Sequence, residues 1–299
     1  MSYDVAPPSI AHPASTVVVL RGNPAAPVDS HPQIFMVRRT RGASFFGGAF
    51  VFPGGRVDPA DGAPDADRWC DGVETARAHF PDLADRPDEA IGYHLAALRE
   101  LFEEAGILLA RDRNGQIVTT GDPATGVRFD EHRHALHSGE RTLRDIVEAE
   151  GLRPALQALH PLAHWVTPIN EPKRFDTRFF LARMPEGQTP LHDSLETTES
   201  RWMTAAEALE RYQRDELVLA PPTWRTLWDL AGFESTEAIL AWSRAQTIVQ
   251  MQPHPYEEDG TKMLLLPGDP RYPGPRPGAP PPETRFVFDR GRWRATRAR

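Results

Sequence analysis

The stretch that most constrains the fold of this chain is a helical pattern over residues 88–105. Four apolar side chains recur at intervals of three or four residues and so share one face of a helix: Ile91, Leu95, Leu98 and Phe102. Pro87 and Asp88 suit the start of a helix, because proline lacks the N–H that would be left unpaired and an acidic side chain can cap it. Gly106 suits its end, where a left-handed residue is common. The pattern predicts an amphipathic helix that packs its apolar stripe into a core.

Three carboxylates lie together on the opposite face of this helix, those of Glu100, Glu103 and Glu104. Arg99 can pair with Glu103 four residues on, but an excess of negative charge remains. A hard cation such as Mg²⁺ or Mn²⁺ prefers these oxygen ligands and keeps positions open for water and phosphates. An ordinary solvated helix face is the alternative. The Gly-Gly pair before the helix, the Arg-Glu-x-x-Glu-Glu spacing and the glycine stop together favour a metal site that handles phosphate.

Residues 99–107, Arg-Glu-Leu-Phe-Glu-Glu-Ala-Gly-Ile, resemble the second half of the Nudix box, Gly-x5-Glu-x7-Arg-Glu-U-x-Glu-Glu-x-Gly-U, where U is a bulky aliphatic residue. Every fixed position of that half is matched. Between Gly55 and Arg99 there are 43 residues where the plain box has 13, so about 30 are inserted. Backward counting puts the early glutamate of the box on Ile91, so we assign no residue to that role. An insertion at this place is a feature of the acyl-coenzyme A diphosphatase subgroup of Nudix hydrolases.

The resemblance implies an α/β (α+β) Nudix fold, with a mixed β-sheet sandwiched between helices and extra C-terminal helices. It implies hydrolysis of the diphosphate in a nucleoside diphosphate-X substrate, with two or more Mg²⁺ (or Mn²⁺) ions on Glu100, Glu103 and Glu104. The catalytic set would be Glu100 as base with Arg99 orienting the glutamates, alongside Glu103 and Glu104. A further metal ligand is expected in the loop before Trp202: Glu199 is the candidate, with Glu196 second.

The same resemblance favours coenzyme A or acyl-coenzyme A as substrate, cleaved to 3′,5′-ADP and (acyl-)4′-phosphopantetheine. Hydrolysis of ADP-ribose or NADH is an alternative, and so is a silent Nudix module that binds a nucleotide or a protein. The intact glutamates argue against the silent module. The expected substrate-binding residues are Arg38, Arg39, Phe52, Gly54, Gly55, Arg174 and Arg178. For the last two, guanidinium forks match phosphate oxygens, but a salt bridge with Asp176 is an equal alternative.

Composition limits the class of protein. The net charge of −8 argues against electrostatic nucleic-acid binding, and no apolar run is long enough to span a membrane. Cys70 is the single cysteine, which indicates a reducing compartment. Without a signal pattern at the N-terminus or Ser-Lys-Leu at the C-terminus, we expect a cytoplasmic protein, and a homodimer is an option.

The expected organisation is a disordered N-terminus (1–14), a Nudix domain (15–250) with an insertion at 59–87, and a proline-rich C-terminal extension (251–299). Alternating or β-branched residues predict strands, of which the clearest are 15–20, 34–39 and 174–182, with a late strand pair at 285–288 and around Trp293.

Two further groups of residues are given structural roles at this stage. His132, His134 and His137 lack the spacing of a metal site, so we expect them to be structural or solvated. Phe45 and Phe46 are expected to pack in the core rather than to line a cleft.

Overall fold

The computed structural model describes residues 9–23, 31–42, 46–193, 195–274 and 283–297. The strands in these ranges are β1 (Ala11–Arg21), β2 (Gln33–Arg39), β3 (Phe50–Val51), β4 (Gly54–Arg56), β5 (Ala110–Arg111), β6 (Arg153–Pro154), β7 (His160–Val166), β8 (Arg174–Arg183), β9 (Thr197–Thr204), β10 (Gln250–Met251), β11 (His254–Glu258), β12 (Thr261–Leu265), β13 (Glu283–Asp289) and β14 (Arg292–Arg297). The α-helices are α1 (Val73–Ala78), α2 (Pro87–Ala105), α3 (Pro123–His137), α4 (Leu143–Glu150), α5 (Ala205–Gln213), α6 (Pro221–Leu230) and α7 (Thr236–Ala245).

The largest sheet is mixed, as predicted, and β1 lies at its centre. Its main order is β10-β7-β8-β1-β2-β3, with β9 paired to β2. β1 runs parallel to β8 on one edge and antiparallel to both β2 and β4 on the other. Near its end Leu20 pairs with Ile34 of β2, whereas Thr16 pairs with Gly54 of β4. The short glycine strand β4 therefore shares an edge of β1 with β2.

Two apolar layers cover the two faces of this sheet. Val17 and Val19 of β1 pack into the layer that contains α2, whereas Val18 and Leu20 pack into the layer that contains α6 and α7. Burial on both faces suits the β-branched run of this strand, and it confirms the prediction from residues 15–20. Helices on both faces give the sandwich that the resemblance implies.

Helix α2 matches the predicted span to within one residue. Pro87 occupies its first turn, and Gly106 ends it with a φ of 67°. The predicted apolar stripe is buried, and burial of four such side chains contributes about 6–12 kcal/mol as an upper estimate. Arg133 of α3 donates from Nε to the Glu103 carbonyl at 2.7 Å, where a cation meets the negative end of the helix dipole.

The insertion packs against α2. Its helix α1 contacts α2, and Arg178 of the central sheet pairs with Asp82 of the insertion. The guanidinium of Arg178 also lies 4.8 Å from the ring centroid of Phe80. Residues 59–87 therefore form part of the core rather than a surface elaboration.

Two boundaries of the expected organisation need correction. β1 begins at Ala11, because residues 11–14 pair with β8, so the expectation of disorder does not hold for them. Beyond residue 251, strands β11–β14 form a second sheet, and Leu264 and Phe286 join the core layer of α6. The predicted late strand pair is confirmed as β13 and β14. Among the described helices, none has both the length and the apolar character needed to cross a membrane.

Candidate active site

A cavity of about 740 Å³ opens beside the C-terminal half of α2. Its charged lining residues include Arg39, Arg56, Asp58, Arg99, Glu100, Glu103, Lys173 and Glu196. Phe52, Gly54 and Gly55 of the predicted substrate-binding set also line it. The cavity therefore brings together the helix glutamates and the Phe-Pro-Gly-Gly turn, which lie more than 40 residues apart in sequence.

The two glycines let the glutamates approach the backbone of β4. A Cβ atom on Gly55 would lie 2.3 Å from Glu100 Oε1, and one on Gly54 would lie 2.2 Å from the Ser15 carbonyl oxygen. In the space left free, the Gly54 N–H donates to Glu104 Oε2 at 2.9 Å. No side chain larger than glycine fits at either position without moving its neighbours. Glu104 thus lies behind the cavity wall and joins α2 to β4.

Arg99 holds the acidic cluster together. Its Nη1 atom donates to Glu100 Oε1 at 2.8 Å and to Glu103 Oε2 at 3.3 Å. The pairing with Glu103 was predicted from helical spacing, but the stronger partner is Asp61. Nε and Nη2 of Arg99 each reach one oxygen of Asp61 at 3.0 Å, and Nη2 also donates to the Arg56 carbonyl at 2.7 Å. Burial lowers the pKa of Arg99, but the bonds and charges of these carboxylates outweigh it and raise the pKa above its usual value.

Asp61 is the site residue that our sequence reasoning missed. It is 3% exposed and stands six positions after Gly55, where the Gly-x5-Glu part of the box has its glutamate. Backward counting from Arg99 gave Ile91, because the inserted residues follow this acidic position rather than precede it. Forward counting from Gly55 would have found Asp61.

Burial shifts the proton affinity of the three helix glutamates. It raises the pKa of Glu100 to about 7 against the opposing charge of Arg99, and it raises the pKa of Glu103 as well. Burial and the neighbouring charge of Glu100 raise the pKa of Glu104 well above its usual value. Burial and mutual repulsion make it unfavourable for all three carboxylates to ionise together, so added positive charge would stabilise the fully ionised cluster.

This donor set fits a divalent cation in its chemistry. Glu100 and Glu103 offer carboxylate oxygens to the cavity, and their side chains are 13% and 14% exposed. In the part of the chain that the structure describes, however, no three acidic, histidine or cysteine side chains converge on one point. Arg99 instead supplies the positive charge to both glutamates. The glutamates, and not Arg99, are the residues that could ligate Mg²⁺ or Mn²⁺.

Arg174 and Arg178 do not line the cavity, which corrects their assignment to substrate binding. Arg174 is buried and donates to the backbone carbonyls of Ser9 and Thr167. Arg178 is 3% exposed and pairs with Asp82. The predicted alternation along β8 is correct, but the cavity lies on the other face of the strand, which carries Phe175, Thr177 and Phe179.

The assignments of one arginine and of one metal candidate also need correction. Arg38 and Glu199 are direct partners across β2 and β9 and form an ion pair of 3.5 Å, outside the cavity lining. Arg39, one residue on, lines the cavity, and so does Glu196. Glu196 therefore replaces Glu199 as the downstream carboxylate that could reach a cation.

The remaining predicted side chains divide between packing and the cavity. His132 Nε2 lies 2.9 Å from Glu150 Oε1, which fits the structural role predicted for it. His134 is exposed, whereas His137 is exposed and lines the cavity mouth. Phe46 also lines the cavity, contrary to the packing role predicted for it, and Phe45 lies outside the described residues.

Comparisons with known proteins agree with this geometry. A family model described as the NUDT19 Nudix domain matches residues 74–230, more than half of the chain. The human acyl-coenzyme A diphosphatase NUDT19 is 28% identical over 233 residues, which are 68% of this chain and 61% of that protein. The Gallus gallus protein of the same name is 28% identical over 288 residues, covering 84% of this chain and 75% of its own. This chain thus spans less than two thirds of the length of its human relative.

A solved structure supports the fold independently. The crystal structure of a NUDIX hydrolase from Alicyclobacillus acidocaldarius superposes with a TM-score of 0.63 at 28% identity, covering 78% of this chain and 96% of that one. With the family match extending over more than half of the chain, and with the matched helix carrying the Arg-Glu-x-x-Glu-Glu residues at the cavity, the chain belongs to the Nudix family, as a protein with a NUDT19-type Nudix domain.

Proposed function

We propose that this protein is a metal-dependent diphosphatase that cleaves coenzyme A or acyl-coenzyme A to 3′,5′-ADP and (acyl-)4′-phosphopantetheine. The observation that carries the proposal is the juxtaposition of half-buried Glu100 and Glu103 with a cavity of about 740 Å³ that also has an apolar lining, which includes Phe175, Phe179 and Leu264. The charged lining suits a metal-bound diphosphate, and the apolar lining suits the remainder of an acyl-coenzyme A. The names of the human and Gallus gallus relatives point to the same substrate class.

Mg²⁺ or Mn²⁺ bound by Glu100 and Glu103, with Glu196 as a further donor, would neutralise the diphosphate and make water a better nucleophile at neutral pH, while Glu104 would add negative charge from behind the cavity wall. The protein's own contribution is to hold these carboxylates in place. Gly54 holds Glu104, and Arg99 holds Glu100 and Glu103.

Glu100 is the proposed general base. Its carboxylate lines the cavity beside Glu103, and Arg99 holds it in place with a hydrogen bond of 2.8 Å. Arg39 and Arg56 line the same cavity as Glu100, and their guanidinium groups match phosphate oxygens in shape and charge.

The test is a product analysis by mass spectrometry with purified protein, Mg²⁺ or Mn²⁺, and four substrates: coenzyme A, an acyl-coenzyme A, ADP-ribose and NADH. We expect 3′,5′-ADP and the matching phosphopantetheine from the first two. Cleavage of ADP-ribose or NADH alone would keep the diphosphatase chemistry and reject the coenzyme A assignment. If no substrate is cleaved with either metal, a silent binding module becomes the better description.

The site assignment has its own variant and matched control. Glu103→Gln removes one half-buried carboxylate from the cavity, and we expect turnover to be lost at saturating Mg²⁺. Glu199→Gln makes the same chemical change outside the cavity, where the side chain pairs with Arg38, so it should keep near-normal turnover. Full activity in Glu103→Gln would reject the assignment.

A further inference from the structure

The cavity that contains the acidic cluster is also lined by apolar side chains that the proposed hydrolysis does not use. Six of these side chains define what we call the apolar end: Trp165, Phe175, Phe179, Pro222, Pro253 and Leu264. The polar side chains of Thr167, Lys173, Thr177 and Thr223 also line the cavity. Across the sheet, Phe179 of β8 pairs with Thr16 of β1, which in turn pairs with Gly54 of β4. Two strand spacings, about 10 Å, therefore separate the apolar end from the glycine turn at the acidic cluster.

The far wall of the apolar end comes from the C-terminal part of the chain. Pro253 and Leu264 lie beyond residue 230, where the match to the NUDT19 Nudix domain stops. Leu264 is 8% exposed on β12 and pairs with Phe286 of β13. Phe286 packs edge-on against Trp224 of α6, with ring centroids 5.4 Å apart. The wall is therefore built into the second core layer of the domain.

Buried polar contacts hold this wall in place. Asp269 is fully buried and accepts two hydrogen bonds from Arg285, at 3.0 and 3.1 Å. Tyr272 donates from its hydroxyl to the carbonyl of Gln252 at 3.0 Å, directly before Pro253. Charge-assisted pairs with two parallel bonds restrict motion in both distance and direction. A chain that enters the apolar end therefore meets a rigid surface.

We propose that the C-terminal sheet determines acyl-chain length: the acyl chain of an acyl-coenzyme A lies along the apolar end and stops at Leu264. This inference rests on the proposed function, because it names the part of that substrate which the second sheet recognises. Each methylene group that leaves water for the apolar end should raise kcat/KM about fourfold. The gain should end, and kcat/KM should fall, once the chain is long enough to reach Leu264.

The experiment measures kcat/KM for free coenzyme A and for a series of straight-chain acyl-coenzyme A thioesters from two to sixteen carbons. Leu264→Ala removes three carbons from the wall, so the preferred chain should lengthen by two to four carbons. Leu264→Trp should shorten it. Leu265→Ala is the matched control, because Leu265 is fully buried on the same strand but does not line the cavity, and its profile should match that of the wild type.

A second variant covers the case in which Leu264→Trp does not fold. Phe175 is half-buried and lines the apolar end, so Phe175→Ala should reduce the gain per methylene group without a large loss of core. A chain-length profile that is the same in wild type, Leu264→Ala and Phe175→Ala overturns the inference while leaving the diphosphatase intact. If wild-type protein cleaves no coenzyme A thioester at all, the proposed function fails first and the inference falls with it.

Discussion

The pairing of Asp61 with Arg99 gives a quantitative prediction. Asp61→Asn keeps the shape of the side chain but removes its charge and places an amide NH₂ against a guanidinium donor. One of two bonds of 3.0 Å is lost inside the protein, where the Asp61 and Arg99 side chains are 3% and 9% exposed. Removing one partner of a buried pair costs about 3–5 kcal/mol.

We expect a smaller loss than this for Asp61→Asn. Arg99 keeps its bonds to the Arg56 carbonyl and to Glu100, so its charge stays compensated. The free energy of unfolding should fall by about 2–3 kcal/mol. In urea this is a shift in midpoint of about 1 M, for a denaturant slope of about 2–3 kcal/mol per molar. Because Arg99 orients the glutamates, turnover should also fall by about 10- to 100-fold.

Asp58→Asn is the matched control. The Asp58 carboxylate lies 3.7 Å from the same guanidinium group, but its side chain is 56% exposed. Exposed ion pairs contribute about 0–1 kcal/mol, so the urea midpoint of this variant should hardly move. Equal losses in Asp58→Asn and Asp61→Asn would refute the reasoning, because they would show that burial does not set the strength of the Arg99 contacts.

Two further predictions test buried groups away from the cavity. Burial lowers the pKa of His79 to about 4 and of His94 to about 3, so the unfolded chain takes up protons first as the pH falls below 6.5. The free energy of unfolding should therefore have its full value above pH 6.5 and be about 2 kcal/mol lower per histidine at pH 5. Urea unfolding at the two pH values should show this loss, and the double variant His79→Leu/His94→Leu should reduce it. Arg178→Lys should lower stability by about 2 kcal/mol, because a lysine cannot reproduce the stacking on Phe80. It should leave KM for coenzyme A within twofold of wild type, and a tenfold rise in KM would return Arg178 to the substrate site.

Local periodicity explains why so much of the fold could be predicted. The span of α2 follows from apolar spacing, a proline and a glycine that all lie within 20 residues, so no tertiary information is needed. The buried run of β1 is equally local. An apolar run alone is less informative: residues 107–110 are all apolar, but only Ala110–Arg111 forms a strand there and residues 107–109 are irregular. The second sheet was not predicted as a unit, because a proline-rich stretch of sequence separates β11 and β12 from β13 and β14.

The glutamates of the site were predictable for the same reason, and the residues that face them from other strands were not. Alternation along a strand sorts its side chains into two sets, but it does not say which set faces the cavity. Arg174 and Arg178 were therefore assigned to substrate on a correct alternation and the wrong face. Arg38 and Glu199 were assigned from the resemblance and lie outside the cavity lining, whereas Arg39 and the second metal candidate, Glu196, line it.

The position of Asp61 shows why counting back from Arg99 in the sequence did not find this residue, although the folded chain places it against Arg99. The chain leaves the active site after Asp61, packs α1 and its flanking turns over α2, and returns at Pro87 to begin the helix that carries Arg99. Asp61 and Arg99 are in direct contact, and the inserted segment is also anchored at a separate point, where Arg178 pairs with Asp82. An insertion that begins and ends near one place in space can be long without moving the residues on either side of it. The Asp61–Arg99 ion pair thus holds the two halves of the Nudix box together, although 37 residues separate them in sequence. In a chain with such an insertion, the residue to look for is an acid six positions after the glycine.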